Sequence, residues 1–265
     1  MAKMSLSKAW DETRTVLGRE GKLFAAVALA MIFLPGVIVG VVEPEQTPAT
    51  IMAGGTTTWL ILLTALIGLV GQLAMIRLAL GPATSVRDAI AHGARRMPFY
   101  FAATMIWIVP LVVALLLFGK VFEAKPQEAS GAQLLAVCII VVALLYLVVR
   151  LILISAVASA EAVGPIGMLK RAWVLSKGHW WRLFGFVLLF GLAAVVLLGA
   201  VGAISGIVAG LLFGAAEPMS VAALFVALFT ELASALVTTV FIVMIARLYA
   251  QASGLSSVSV PASGS

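Results

Sequence analysis

Glu231 is the residue whose type and place most invite chemistry. It stands about a third of the way along an apolar run that starts near Ser220, where an ionisable group is costly and by default marks function. Thr230, Ser234 and Thr238 flank it at helical spacing and give it a polar seam. Gln72, in a different apolar run, is the polar partner the sequence offers without placing the two together. Two roles stay open for Glu231: a protonated, hydrogen-bonded carboxyl that packs helices, or a group in transport or proton coupling. The remaining chemistry is sparse. His92 and His179 are the only histidines and Cys138 the only cysteine, with no carboxylate pair at ligand spacing. That excludes a disulfide within the chain and argues against a transition-metal site. No glycine-rich phosphate loop and no serine with a credible base are present. We therefore expect no enzyme, no metal and no cofactor.

The elements that must hold these residues are membrane helices. Of 265 residues, 63% are hydrophobic and 11% charged, with mean hydropathy +1.18. Soluble domains carry about 25% charged residues. Apolar runs near twenty residues recur six times, and about 20 residues cross a bilayer as a helix. The runs are continuous rather than alternating, so backbone satisfaction in lipid selects helices over a barrel. The net charge of +6 is better explained by basic loops facing the cytoplasm than by a nucleic-acid partner. The first run follows Asp11, Glu12 and Glu20, unlike a short basic signal region, and reads as a retained span, with a cleaved signal as the alternative.

Residues 5–18 form an amphipathic helix, with Leu6, Ala9, Trp10, Thr13 and Leu17 on one face. Spans follow at about Leu23–Val42, with Pro35 kinking it, and Thr58–Leu80, where Thr64, Gly68 and Gln72 make a small-residue seam. A second amphipathic piece, Thr84–Arg96, opens on a capping box at Ser85–Asp88. Spans three and four run Pro98–Phe118, with Pro110 inside, and Ala132–Ala158, interrupted by Arg150. The third amphipathic piece is Pro165–Lys177, punctuated by Gly178 and followed by Trp180 and Trp181. Span five, Leu183–Gly214, is too long to stand upright. It must tilt, project, or break among Gly202, Gly206, Gly210 and Gly214. Span six is Ser220–Ala250, and residues 253–265 read as a disordered tail. The segments Glu43–Thr57 and Gly119–Gly131 read as loops.

Assigning loops alternately puts 15 of the 17 Lys and Arg on one side, leaving only Lys120 and Lys125 on the other. This asymmetry places both termini in the cytoplasm. The pattern of amphipathic helix, span, loop and span ending in Arg-Leu is written three times, over residues of about 4–81, 82–160 and 161–250, within one membrane domain spanning 1–252. Leu6-Ala9-Trp10-Thr13 corresponds to Val86-Ala89-Ile90-Gly93 and to Leu169-Ala172-Trp173-Ser176; the span ends are Arg77-Leu78, Arg150-Leu151 and Arg247-Leu248. The fold class expected is all-α: a six-helix membrane bundle of three parallel hairpin repeats, each led by an interfacial helix.

The stretch Arg150, Glu161, Gly164-Pro165, Lys170-Arg171-Ala172-Trp173-Val174-Leu175-Ser176-Lys177-Gly178, then Trp181 and Arg182, resembles the membrane domain of glycerophosphoryl diester phosphodiesterases and related uncharacterised bacterial six-span proteins. The family pattern has an arginine in a span, a glutamate before Gly-Pro, then Arg-Ser-Trp and Leu-Thr-Lys-Gly. Ala172 and Ser176 depart from it, and the proline often found before the glutamate is missing. The match is sharp over about 35 residues and looser over the six spans. In that family the phosphodiesterase chemistry resides in a separate soluble barrel. The resemblance therefore implies a membrane module without that chemistry, in a bacterial inner membrane.

These readings set the expectations. Arg77, Arg150 and Arg247 snorkel towards lipid phosphates from the span ends. Arg150 pairs with Glu161 to fix a corner. Lys170, Arg171, Lys177 and Arg182, with Trp173 at headgroup depth, face anionic lipid. The function is a non-catalytic module interacting with lipid or with partner proteins, membrane-protein partners and a homo-oligomer included. The alternative is a transporter of small solutes or lipid that uses the seam at Glu231.

Overall fold

The computed structural model describes residues 4–43, 55–81, 85–117 and 131–254, and those residues form helices joined by short turns, with no strand among them. Six of the helices are long and apolar enough to cross a membrane. The segments read from sequence as loops and tail lie largely outside the described residues.

Helix α1 (Leu6–Ala28) starts at Ser5, whose hydroxyl accepts the Lys8 N–H. It continues through a π-helical turn, Leu29–Phe33, into α2 (Leu34–Val42). The expected surface helix and first span are thus one rod, but their joint survives. Glu20 leaves helical geometry at φ −118°, ψ 16°. Pro35 brings no N–H, and the chain widens just before it, with the Leu34 N–H reaching back to Leu29 O. Helix α3 spans Thr56–Leu80 and α4 Val86–Leu117. The capping box at the start of α4 is present in altered form. The Ser85 hydroxyl donates to the Asp88 carboxylate at 2.6 Å and accepts the Asp88 N–H at 3.1 Å. Sequence placed a boundary at Pro98, yet α4 runs through it. Pro98 and Ala94, whose carbonyl loses its partner, are both exposed, so the missing bond falls on the outer face.

Helix α5 (Gly131–Leu151) ends one residue after Arg150, and a two-residue turn leads into the short α6 (Ile154–Ala160). Then come α7 (Pro165–Ser176), α8 (Trp180–Phe213) and α9 (Val221–Ser253). Gly178 turns α7 into α8 at φ +83°. Helix α8 is unbroken over its 34 residues. At 1.5 Å per residue it is ~51 Å long against ~30 Å of hydrocarbon, so it tilts or projects.

Helices α3 and α9 form the centre. Helices α1 and α2 lie against both, α4 packs along α3, α8 along α9, and α5 on α7 and α8. The small residues read as an amphipathic face are buried: Ala9, Ala89 and Ala172 fully, with Thr13, Gly93 and Ser176 beside them. Gly93 shows why size matters, since a Cβ there would lie 2.5 Å from Val70 O. The seam expected along Thr64, Gly68 and Gln72 is shifted by a register. Gly71, not Gly68, makes the close approach, to Met31. In α8 only Gly202 of the glycine ladder meets a neighbour, Thr230; Gly206 and Gly210 have nothing within 4 Å.

Candidate functional site

One end of the bundle gathers most of the residues singled out in the sequence. Its structural hub is α6. All six residues Ile154–Ser159 are buried, so this helix has no polar face and lodges among α3, α4, α7 and α9. The last carbonyls of a helix need donors from outside it. Arg96 supplies one of these and two more to the segment that follows. Its Nε donates to Ala158 O at 2.8 Å, and its Nη2 donates to Val163 O at 3.2 Å and to Glu161 O. His92 Nε2 lies 2.8 Å from Ser159 O, which requires the ring to carry its proton there. A cation at a helix C-terminus also meets the negative end of the helix dipole. The Ser159 hydroxyl donates to Leu73 O at 3.0 Å and ties α6 to α3.

Glu161 follows as the next link. Its carboxylate accepts Arg171 Nε at 2.9 and 3.1 Å and the Tyr249 hydroxyl at 2.8 Å. The carboxylate raises the Arg171 pKa through this hydrogen bond, so the guanidinium stays charged. Arg171 is exposed, and ion pairs in that setting contribute roughly 0–1 kcal/mol. The bond from Tyr249, a residue 1% exposed, is the firmer anchor. Glu161 therefore joins the segment after α6 to α7 and α9, and its backbone reaches α4 through Arg96.

The pairing expected between Arg150 and Glu161 is not made. The turn after Leu151 carries Glu161 towards Arg171 and Tyr249. Arg150 instead lies over two rings, 5.0 Å from the Trp173 centroid and 5.2 Å from that of Tyr146. Its Nε donates to the Tyr146 hydroxyl at 3.0 Å, and Nη1 is 3.5 Å from the Ser176 hydroxyl. Arg247 is not turned outward to snorkel either: it is half-buried and its Nη2 donates to Ala79 O. Arg77 is half-buried at the end of α3. Lys170, Trp173 and Lys177 are exposed. Arg182 is exposed too, but its Nη1 is committed to Met4 O at 2.6 Å, and the Ser5 N–H donates to Gln251 Oε1 at 2.8 Å. The start of α1 thereby closes on the start of α8 and the end of α9.

Sequence reasoning missed Arg96, His92, Tyr146 and Tyr249. A signal existed for the first two. Ala89, His92, Gly93 and Arg96 recur at helical spacing, so these basic groups sit on the face that Ala89 and Gly93 mark as buried. Nothing in the sequence pairs Tyr249 with Glu161, 88 residues away.

Glu231 lies at the opposite end. Its carboxyl fills the space a side chain would take at Gly36, where a Cβ would fall 2.2 Å from Oε2. It lines a cleft of ≈ 570 Å³ with Glu43, Glu217, Thr230 and a set of alanines and glycine. The loop before α9 borders this cleft, docked on α2 through the Met219 N–H to Val41 O. Gln72 is not its partner; it reaches Tyr100 on α4.

Searches of curated proteins and of solved structures each found no match. A family model described as a domain of unknown function, DUF7847, matches residues 4–252. That span takes in all six candidate membrane helices, the α6 hub and the Glu231 cleft but for the last residue of α9, and the chain belongs to the DUF7847 family.

Proposed function

We propose that the protein is a non-catalytic module of a bacterial inner membrane whose basic end faces the cytoplasm and engages anionic lipid headgroups. One observation carries this reading: Arg14, Arg87, Arg95, Lys170 and Lys177 are exposed at the same end as the exposed rings of Trp10, Trp173 and Trp181. Tryptophan favours the headgroup layer, and each cation near an anionic surface contributes about 1 kcal/mol. Three repeated units, each led by an interfacial helix, account for the matching burial of Ala9, Ala89 and Ala172. The likeness to phosphodiesterase membrane domains supports a module that sits in lipid and leaves hydrolysis to other domains. The test reconstitutes the protein with spin-labelled phosphatidylglycerol and, separately, phosphatidylcholine. The expected result is a preference of about two-fold or more for the anionic lipid at low salt, lost at high salt. Changing the five exposed cations to glutamine should also abolish it. Equal occupancy by both lipids at low salt would sink the proposal.

The Glu231 cleft favours a second reading, transport of a small solute. A carboxylate without a hydrogen-bond partner among the described residues faces a helix whose regular bonding is broken at Leu29–Phe33 and Pro35. Irregular backbone beside an ionisable group is how transporters line solute sites. If this reading holds, proteoliposomes show a solute flux that Glu231→Gln lowers at least ten-fold. A flux unchanged by the substitution would remove Glu231 from any such path.

A further inference from the structure

The basic end contains a feature that general lipid attraction does not require: a guanidinium held in place without a carboxylate. Among the described residues Arg150 makes no ion pair; the bridges found there are Lys8–Glu12, Arg19–Glu20 and Arg171–Glu161. The side chain is fixed instead by the rings of Trp173 and Tyr146 and by two hydroxyls, on Tyr146 and Ser176. Ring faces and hydroxyl oxygens orient the guanidinium but leave its charge unneutralised. Arg is also the side chain whose planar fork matches a phosphate.

The surroundings repeat the same imbalance of donors over acceptors. Helical spacing sets Lys170 one turn before Trp173 and Lys177 just over one turn after it, both exposed. Trp180 stacks on Tyr146 with centroids 5.7 Å apart, and its Nε1 is buried without a hydrogen-bond partner. The adjacent His179 Nδ1 is in the same condition. Trp180 and His179 also open α8, whose first turn has no acidic residue and no side-chain cap, leaving the positive end of a long helix beside the cage. Arg150 is the penultimate residue of a membrane helix, and its cage is built of residues that settle at the headgroup layer.

We propose that the Arg150 cage binds one phosphate-ester anion, with Arg150 forking onto its oxygens, Lys170 and Lys177 neutralising it, and Trp173 flooring the site. This deepens the lipid reading above by naming the ligand chemistry and the single place that holds it. The position at the end of α5 makes a phospholipid of the basic-side leaflet the expected source, ahead of a soluble phosphate.

The test takes the full chain, stripped in detergent and titrated with phosphatidylglycerol, and counts retained lipids by native mass spectrometry. A parallel titration follows tryptophan fluorescence with inorganic phosphate. The expected outcome is one lipid retained well beyond the rest, with affinity lowered about ten-fold or more by Arg150→Gln and by Trp173→Leu. Arg150→Lys should recover only part, because an ammonium cannot fork. Saturable quenching by phosphate that Arg150→Gln removes also supports the site and assigns it to a soluble ester. No retained lipid and no phosphate response in the unmodified protein would overturn the proposal, whatever the variants do. So would retention unchanged in both Arg150→Gln and Trp173→Leu. The spin-label preference is read separately. A preference that persists with an empty cage defeats the cage alone, and a filled cage with no preference defeats the general lipid reading alone.

Discussion

Arg96→Gln is expected to lower the thermal unfolding midpoint in detergent by about 10 °C. The side chain bonds one carbonyl near the end of α6, whose first six residues are all buried, and two carbonyls of the segment just after it. Hydrogen bonds from a charged donor contribute ~1.5–3 kcal/mol each, and a buried acceptor left unmade costs ~1–3 kcal/mol. Bonds made by one side chain are not additive, so a total near 3–5 kcal/mol is the reasonable sum. At roughly 2–4 °C per kcal/mol for a chain of this size, that becomes the shift stated. Glutamine can replace one of the three bonds at most. Arg96→Lys keeps the charge at the helix end but not the fork, and should lose about half as much. His92→Gln, which risks a single bond, should lose less still. A midpoint for Arg96→Gln within a degree of the unmodified protein would mean that water reaches these carbonyls and that α6 is not sealed.

Gly93→Val should be comparably damaging for a steric reason. Two effects oppose each other at this site. Replacing glycine in a helix gains up to ~1 kcal/mol of propensity, more for alanine than for valine. Against that, the new Cβ would fall 2.5 Å from Val70 O and 3.2 Å from Ala74 N. Both are backbone atoms of α3 and cannot rotate away, so α4 must move off the helix along which it packs. Overpacking of this kind typically costs ~1–3 kcal/mol, and a β-branched side chain against backbone belongs at the top of that range or above. The clash wins, and the midpoint should fall by roughly 6 °C or more. Gly206→Ala is the matched control. Nothing lies within 4 Å of its Cβ position, so the propensity gain stands alone and the midpoint should hold or rise. Equal effects at the two glycines would contradict the packing described for α4.

The difference between those glycines also marks what a single sequence can and cannot say. Both look like small residues on an apolar helix, and the periodic ladder of Gly202 to Gly214 is the more conspicuous pattern. The tight contact belongs instead to Gly93, which stands in a short amphipathic segment. Periodicity reports that a backbone is approachable; which helix approaches depends on the arrangement of the whole bundle. The six spans were legible because twenty apolar residues in a row have few other uses, and Ser85–Asp88 and Gly178 were legible because capping and turn chemistry are local. Joints between surface helix and span were less so. Pro98 reads as a boundary, but exposure of the carbonyl it strands lets α4 continue. Arg150 and Glu161 are eleven residues apart, on either side of a turn that spacing alone does not reveal, so their expected pairing gave way to partners on α7 and α9 and to aromatic rings. Glu231 was found from its cost in lipid, whereas Gly36, which makes room for it, carries no mark beyond following a proline.

The closure of α1 onto α9 has a consequence for how the protein is made. The Ser5 N–H bonds to a residue 246 positions later. At about 5–20 residues per second, Gln251 leaves the ribosome roughly 12–50 s after Ser5. Throughout that interval the face of α1 carrying Ala9, Thr13 and Phe24 lacks α9, one of the surfaces that later cover it. Biogenesis thus runs against a clock. Helix α1 must be parked at the bilayer surface or held by the insertion machinery, and the basic end is sealed only once α9 has been made.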